Sequence, residues 1–154
     1  MDIKILSRME AAANDHLLED PTVAFISIYC SNDKPLFDLH PRVLSLQYDD
    51  VEHDYGNRYK LFHDGHAEQV LDFVDRVKDQ TELFVIHCYA GVSRSSATAV
   101  KVAQYLDRDD LAEELFDRYP YINPNRRVAR ILQEAMTERK NEARVNRVDN
   151  RNSK

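Results

Sequence analysis

The chain has 154 residues, 43% hydrophobic and 31% charged, with a net charge of −6; this is the make-up of one soluble domain with a real core. The negative balance disfavours a general nucleic-acid binder, and two cysteines, Cys30 and Cys88, are too few for a disulfide-stapled scaffold. The opening MDIKILSRME lacks the apolar core of a signal peptide, and no run of about 18 apolar residues is available to span a membrane.

Residues 3–6 are a short apolar run and a first candidate strand. Ser7, with Glu10 three positions on, has the pattern of a capping box that opens a short helix through Met9 and Ala11 to Ala13. Residues 22–29 (TVAFISIY) are rich in β-branched and aromatic side chains and predict a buried strand, with Cys30 as a strand core residue. A polar turn follows from Ser31 to Pro35. Residues 42–47 (RVLSLQ) predict a third strand running into Tyr48, Asp49 and Asp50. Residues 51–65 form a polar, irregular connection. Ala67, Val70, Leu71, Val74 and Val77 recur at helical spacing over 66–78. Residues 83–86 (LFVI) predict a buried strand, and Ser95 opens a helix to about Leu106. Asp109 starts another through Leu111, Leu115 and Phe116, ended by Tyr119 and Pro120. Pro124 opens a last helix whose apolar face holds Val128, Ile131, Leu132 and Ala135. From about Lys140 the sequence offers little to bury, which predicts a domain over 1–139 and a frayed polar tail over 140–154. Strands alternating with helices argue an α/β sheet that binds ligands at the strands' carboxyl ends.

The most informative stretch is 87–95, His87-Cys88-Tyr89-Ala90-Gly91-Val92-Ser93-Arg94-Ser95. A thiol and a guanidinium stand six positions apart around a short loop between a buried strand and a helix start. Free N–H groups and the dipole at such a start cradle an oxyanion and favour a thiolate. Gly91 stands mid-loop, where a tight turn needs φ freedom. Arg94 offers a planar fork for two phosphate oxygens. Nucleophile and anion cradle share the same few residues.

This string resembles the signature of the cysteine-dependent protein tyrosine and dual-specificity phosphatases: His-Cys, five residues, Arg, then Ser or Thr. Ile122-Asn123-Pro124-Asn125 is similar to the Pro-Asn-led C-terminal helix of the dual-specificity group. The opening strand and helix, the strand ending in Asp49-Asp50 and the HCYAGVSRS loop look closer still to a compact branch found in bacteria and phages. That likeness covers most of residues 1–135. It implies a single-domain, protein-tyrosine-phosphatase-like α/β fold, with a mostly parallel central sheet flanked by helices. The implied activity is hydrolysis of phosphotyrosine in phosphoproteins through a phosphocysteine at Cys88, with phosphoserine and phosphothreonine left open and no cofactor or metal. Loop N–H groups at Tyr89, Ala90, Gly91, Val92, Ser93 and Arg94, with the Arg94 guanidinium, would hold the phosphoryl oxygens. Ser95 would hydrogen-bond the Cys88 sulfur, cap the helix, or do both. His87 falls on the opposite strand face from Cys88 and, by the resemblance, supports the loop. The implied partner is a phosphorylated protein, with no nucleic acid or membrane, in a reducing, cytoplasmic compartment; the oligomeric state is left open. A phosphate-binding pseudophosphatase without turnover and an RNA 5′-phosphatase are the alternatives, the latter disfavoured by the acidic balance.

The remaining part is a general acid, which in the family is an aspartate on a separate upstream loop just after a strand. Asp50 ranks first by its strand-end position, Asp49 and Asp54 next, and Asp64, beside the next helix start, last. His53, His63 and His66 with Asp64 invite a metal site, but no second cluster completes one, and a solvated loop is expected. Tyr55, Tyr59 and Phe62 either wall the substrate cleft or pack under the loop. Arg126 and Arg127 face an acidic substrate or solvent.

Overall fold

The computed structural model describes residues 1–152. Four strands, Asp2–Leu6 (β1), Val23–Tyr29 (β2), Val43–Gln47 (β3) and Leu83–His87 (β4), form one sheet in the order β1-β4-β2-β3. Every pairing is parallel, so all four carboxyl ends open on one edge. The helices are Arg8–Ala13 (α1), Asp64–Val77 (α2), Arg94–Tyr105 (α3), Asp109–Arg118 (α4) and Arg126–Asn152 (α5).

Strand alternation sorts the side chains into two unequal layers. Ile3, Ile5, Ala24, Ile26, Ile28, Phe84, Ile86 and Cys88 join the main core with the buried faces of α2 to α5. Each large apolar side chain fully buried there contributes about 1.5–3 kcal/mol, which fixes the central strands and the edge they deliver. Val23, Phe25 and Val85 form a second, smaller cluster with Leu17, Leu18 and Phe37. The 31–42 connection covers that face. Phe37 sets its ring edge-on to Phe25 at 5.0 Å and to His87 at 6.1 Å. β4 therefore sends His87 into one layer and Cys88 into the other.

α1 opens on the expected capping box: Glu10 N donates to Ser7 Oγ at 3.2 Å and Ser7 N to Glu10 Oε1 at 2.9 Å. α2 starts at Asp64, two residues before the periodicity gave it, because two histidines cap it. Gly65 N donates to His63 Nδ1 at 3.0 Å, and His63 N to His66 Nδ1 at 3.1 Å. His66 is buried and stacked on Phe62 with ring centres 5.4 Å apart. Burial, helped by the charges of His63 and Lys60, pushes it down to about 4. The solvated loop expected here is thus, at His63 and His66, a built helix start. Among the described residues no group of three or more His, Cys, Asp or Glu is placed to hold a metal ion.

The C-terminal segment also differs from expectation. α5 continues to Asn152, where composition predicted fraying from about residue 140. Arg139 clasps α5 to α2 through Glu68, Asp72 and Asp75 at 2.5, 2.6 and 3.0 Å. Past that clasp every side chain from 140 to 152 is exposed; the segment has no Gly or Pro to break the helix. Residues 153 and 154 of the expected tail lie outside the described residues. No helix among the described residues is long and apolar enough to cross a membrane.

Candidate active site

β4 brings Cys88 to the middle of the carboxyl edge, and the chain turns through residues 88–93 into α3. Cys88 is only 2% exposed, with Sγ 3.1 Å from Ser95 Oγ. Burial pushes the thiol up. Hydrogen bonds from the Ser95 hydroxyl and N–H, the Arg94 charge and the Gly91 N–H outweigh it and hold Cys88 below the usual cysteine value. Gly91 has φ +72°, and a Cβ there would lie 2.8 Å from Leu6 C and Ser7 N. Only glycine lets the end of β1 close on the loop.

The loop is pinned from outside by its carbonyls. Arg8 N donates to Tyr89 O at 3.0 Å, Asn123 N to Val92 O at 2.9 Å, and Asn125 N to Ser93 O at 3.0 Å. A trans peptide sets N–H opposite C=O, and no peptide here is cis. The N–H groups of Ala90, Ser93 and Arg94 therefore point away from those partners. The Asn-Pro-Asn segment and the start of α1 act together as its outer frame.

Arg94 is 3% exposed. Its Nη1 donates to Tyr48 O at 2.9 Å and to Cys30 Sγ at 3.3 Å, while Nε is buried without a partner among the described residues. One side of the guanidinium is spent on the ends of β2 and β3; the Nε side is not. Cys30, expected inside a strand core, instead sits one residue past β2, half-buried, as an acceptor for this arginine.

His87 is fully buried, with Nε2 2.6 Å from Ser27 Oγ and Nδ1 3.3 Å from Cys88 O. A carbonyl only accepts, so Nδ1 carries the proton and Nε2 accepts from the Ser27 hydroxyl. Burial pushes His87 down to about 4, with Arg8 and Arg94 adding to the effect and the Cys88 carbonyl opposing it. A neutral His87 braces the loop from behind.

The neighbouring aspartates part company. Asp49 turns inward and accepts from Ser31 N at 2.9 Å, Ser31 Oγ at 2.9 Å and Lys60 N at 2.8 Å. Burial pushes its pKa up, but these bonds and the Arg94 charge leave it below the ordinary carboxylate value. Asp49 staples two loops and stays ionised. Asp50 is exposed and accepts from Ser93 Oγ at 2.8 Å and Asn125 Nδ2 at 2.9 Å, which brings it onto the cysteine loop. Asp54 accepts from Asn57 N at 3.0 Å within its own turn, and Asp64 occupies the first turn of α2. Of the three aromatic residues on this connection, Phe62 is buried against Tyr48 at 4.9 Å, while Tyr55 and Tyr59 stay exposed.

Asn125 had no role at the sequence level beyond its place in a motif. Its Oδ1 caps α5 by accepting from Val128 N at 3.0 Å, while Nδ2 holds Asp50. The cap was visible in principle, as an asparagine just before a helix. The tie to Asp50 was not, since it joins positions 75 residues apart.

No protein-family model matches the sequence, and no curated protein matches it. Solved structures do. The human tyrosine phosphatase-like serine/threonine/tyrosine-interacting protein is 21% identical with a TM-score of 0.61, over 86% of this chain and 89% of that one. A mouse putative dual specificity phosphatase complexed with zinc tungstate is 17% identical with a TM-score of 0.62, over 92% and 86%. Human DUSP28 is 16% identical with a TM-score of 0.61, over 91% and 94%. At such identities the likeness speaks of architecture. The chain has the single-domain α/β fold of the dual-specificity and tyrosine phosphatases, a parallel sheet flanked by helices.

Proposed function

We propose that the protein is a cysteine-dependent phosphatase that hydrolyses phosphotyrosine in phosphoproteins, with phosphoserine and phosphothreonine as open further substrates. The observation that supports this most is the Cys88 thiol, held below its usual pKa beside Ser95 and Arg94. The Cys88 thiolate attacks phosphorus; a P–S bond forms, the ester P–O bond breaks, and Asp50 gives its proton to the leaving oxygen. Asp50 then takes a proton from water, whose oxygen attacks phosphorus. The P–S bond breaks, phosphate leaves and the thiolate is restored, eased by a hydrogen bond from Ser95. The Arg94 guanidinium and the N–H groups from Tyr89 to Arg94 hold the non-bridging oxygens through both steps. No step draws on a metal or cofactor. The likeness of the loop to the compact bacterial and phage branch favours the same chemistry. A low-pKa thiolate survives best in a reducing compartment, which favours the cytoplasm.

Asp50 at the loop weighs against a pseudophosphatase, and the −6 charge against an RNA 5′-phosphatase. The test is hydrolysis of a small aryl phosphate in chelator by the native protein and by Cys88→Ser, followed by a phosphopeptide panel. Native turnover should ignore the chelator. Cys88→Ser should lose turnover yet bind phosphopeptide, because Arg94 and the N–H cradle remain. Binding without turnover in the native protein would make it a pseudophosphatase, and near-native rates in Cys88→Ser would remove the covalent mechanism.

A further inference from the structure

Arg126, Arg127 and Arg130 gather on the first turns of α5 and line a cavity of about 350 Å³, faced by Glu52, His53 and Asp54. The cavity adjoins the site without belonging to it. Its acidic wall begins two residues past Asp50, and Asn125, the residue before Arg126, holds Asp50 Oδ1 at 2.9 Å. The three guanidinium groups are unequally spent. Arg127 Nε donates to Phe62 O at 2.8 Å and braces the connection. Arg130 has only an exposed pair with Glu134 at 3.3 Å, of a kind that solvent screens and a better-placed anion can replace. Arg126 is exposed and forms no ion pair among the described residues.

The chain as a whole is acidic, so three arginines beside the carboxyl edge run against its overall field. Glu52 and Asp54 offset part of that charge without cancelling it. Glu52 also marks where an anion settles, its Oε1 accepting from Arg126 N at a long 3.3 Å. No Phe, Tyr or Trp lines the cavity, and His53 is the one ring among its lining residues, a smaller stacking surface than single-strand nucleic-acid sites use.

We propose that this cavity is a second anion subsite, which takes a carboxylate or phosphate on a residue flanking the phosphoresidue of a peptide substrate. It rests on the phosphatase reading above and deepens it by naming the substrate class: phosphopeptides with a second acidic group nearby. A shared anionic chemistry serves both sources, and separate peptides tell them apart.

Binding is measured on Cys88→Ser protein, so that the result does not depend on turnover. Fluorescent phosphotyrosine peptides with neutral flanks, with glutamate flanks, or with a second phosphorylated residue are compared by anisotropy. At least one acidic peptide should bind about three- to tenfold tighter than the neutral one at low salt, with the gain fading as salt rises. The peptide with the larger gain identifies carboxylate or phosphate. Arg126→Glu with Arg130→Glu should erase the gain while leaving neutral-peptide affinity and the unfolding midpoint unchanged. Glu52→Gln, which removes the competing carboxylate, should tighten the acidic peptides by about twofold. Equal affinity for all three peptides, or a preference that survives both reversals, overturns the subsite. Tighter binding of a 5′-phosphorylated RNA through the same arginines overturns the peptide assignment. Absence of aryl phosphate turnover in the native protein counts against the phosphatase reading alone, because the peptide comparison still decides the subsite.

Discussion

Residues 88–95 and residues 49–62 border the same edge of the sheet and are held in place by different means. In the first, one contiguous segment supplies the thiol, the N–H groups, the guanidinium and the hydroxyl beside the sulfur. Its carbonyls at Tyr89, Val92 and Ser93 are tied to α1 and to the Asn-Pro-Asn segment. In the second, Asp49 and Phe62 anchor the two ends, and Tyr55 and Tyr59 stand exposed between them. Asp50 depends on Ser93 and Asn125, 43 and 75 residues away. The cysteine loop is encoded locally, whereas the placement of Asp50 against it is a tertiary matter. The loop should therefore fail for every substrate when altered, and the acid connection only for substrates that need its proton.

The largest selective effect should come from Asp50→Asn. Phosphotyrosine hydrolysis should fall by about 10²–10⁴, the span of general acid catalysis, and the basic limb of the pH–rate profile should flatten. An activated aryl phosphate, whose leaving oxygen scarcely needs a proton, should lose little. Asp49→Asn should instead lower both rates together with stability, because it unties Ser31 and Lys60. A leaving-group-dependent loss in Asp54→Asn alone would move the acid deeper into the connection and break the contrast.

Arg94→Lys should cost about 10²–10³ on both substrates, the scale of losing one preorganised donor to a developing charge. Lysine keeps the charge but not the planar fork, so near-native rates would contradict the bidentate role. Asn125→Ala should slow phosphotyrosine hydrolysis by about tenfold and cost ~1 kcal/mol through the lost α5 cap. Asn125→Asp should restore the cap, since a carboxylate accepts from Val128 N, but not the donor to Asp50. Recovery of stability without recovery of rate separates the two roles; joint recovery would reduce Asn125 to a cap.

How much of this was legible depends on sequence distance. The four strands and the helices from α1 to α4 follow from apolar runs, periodicity and caps, all local signals. The cysteine loop was legible for the same reason. The strand-end argument placed Asp50 ahead of its neighbours, and the fold does bring it to Ser93. Asp49, one residue earlier, gave no sign that it would turn inward to Ser31 and Lys60. The bonds between Ser27 and His87, Cys30 and Arg94, and Asn125 and Asp50 span 60, 64 and 75 residues and leave no trace in spacing. The start of α2 was missed because histidines seldom build a capping box, and the end of α5 because an exposed polar segment that buries nothing has the composition of a disordered tail even where it continues a helix.

The effect furthest from the chemistry concerns two buried histidines, one behind the cysteine loop and one at the start of α2. His87 and His66 sit near 4 in the folded protein, against an ordinary 6.5. Between those values the unfolded chain binds more protons, so stability is full above about pH 6.5 and falls as pH drops toward 4. The loss should approach roughly 3 kcal/mol for each histidine, without touching the chemistry at neutral pH. Urea unfolding between pH 7.5 and 4 checks this, and His87→Gln should make the slope shallower. A flat profile would contradict the neutral, buried His87.

The central claim is a phosphoryl group carried on Cys88. Acid-quenching Asp50→Asn protein during turnover of an activated aryl phosphate, then mapping its peptides by mass spectrometry, tests this most directly. Loss of the base that activates water should let the intermediate accumulate. The account predicts a phosphoryl group on Cys88, absent from Cys88→Ser. Turnover with Cys88 unmodified, or a phosphoryl group on any other residue, would contradict it.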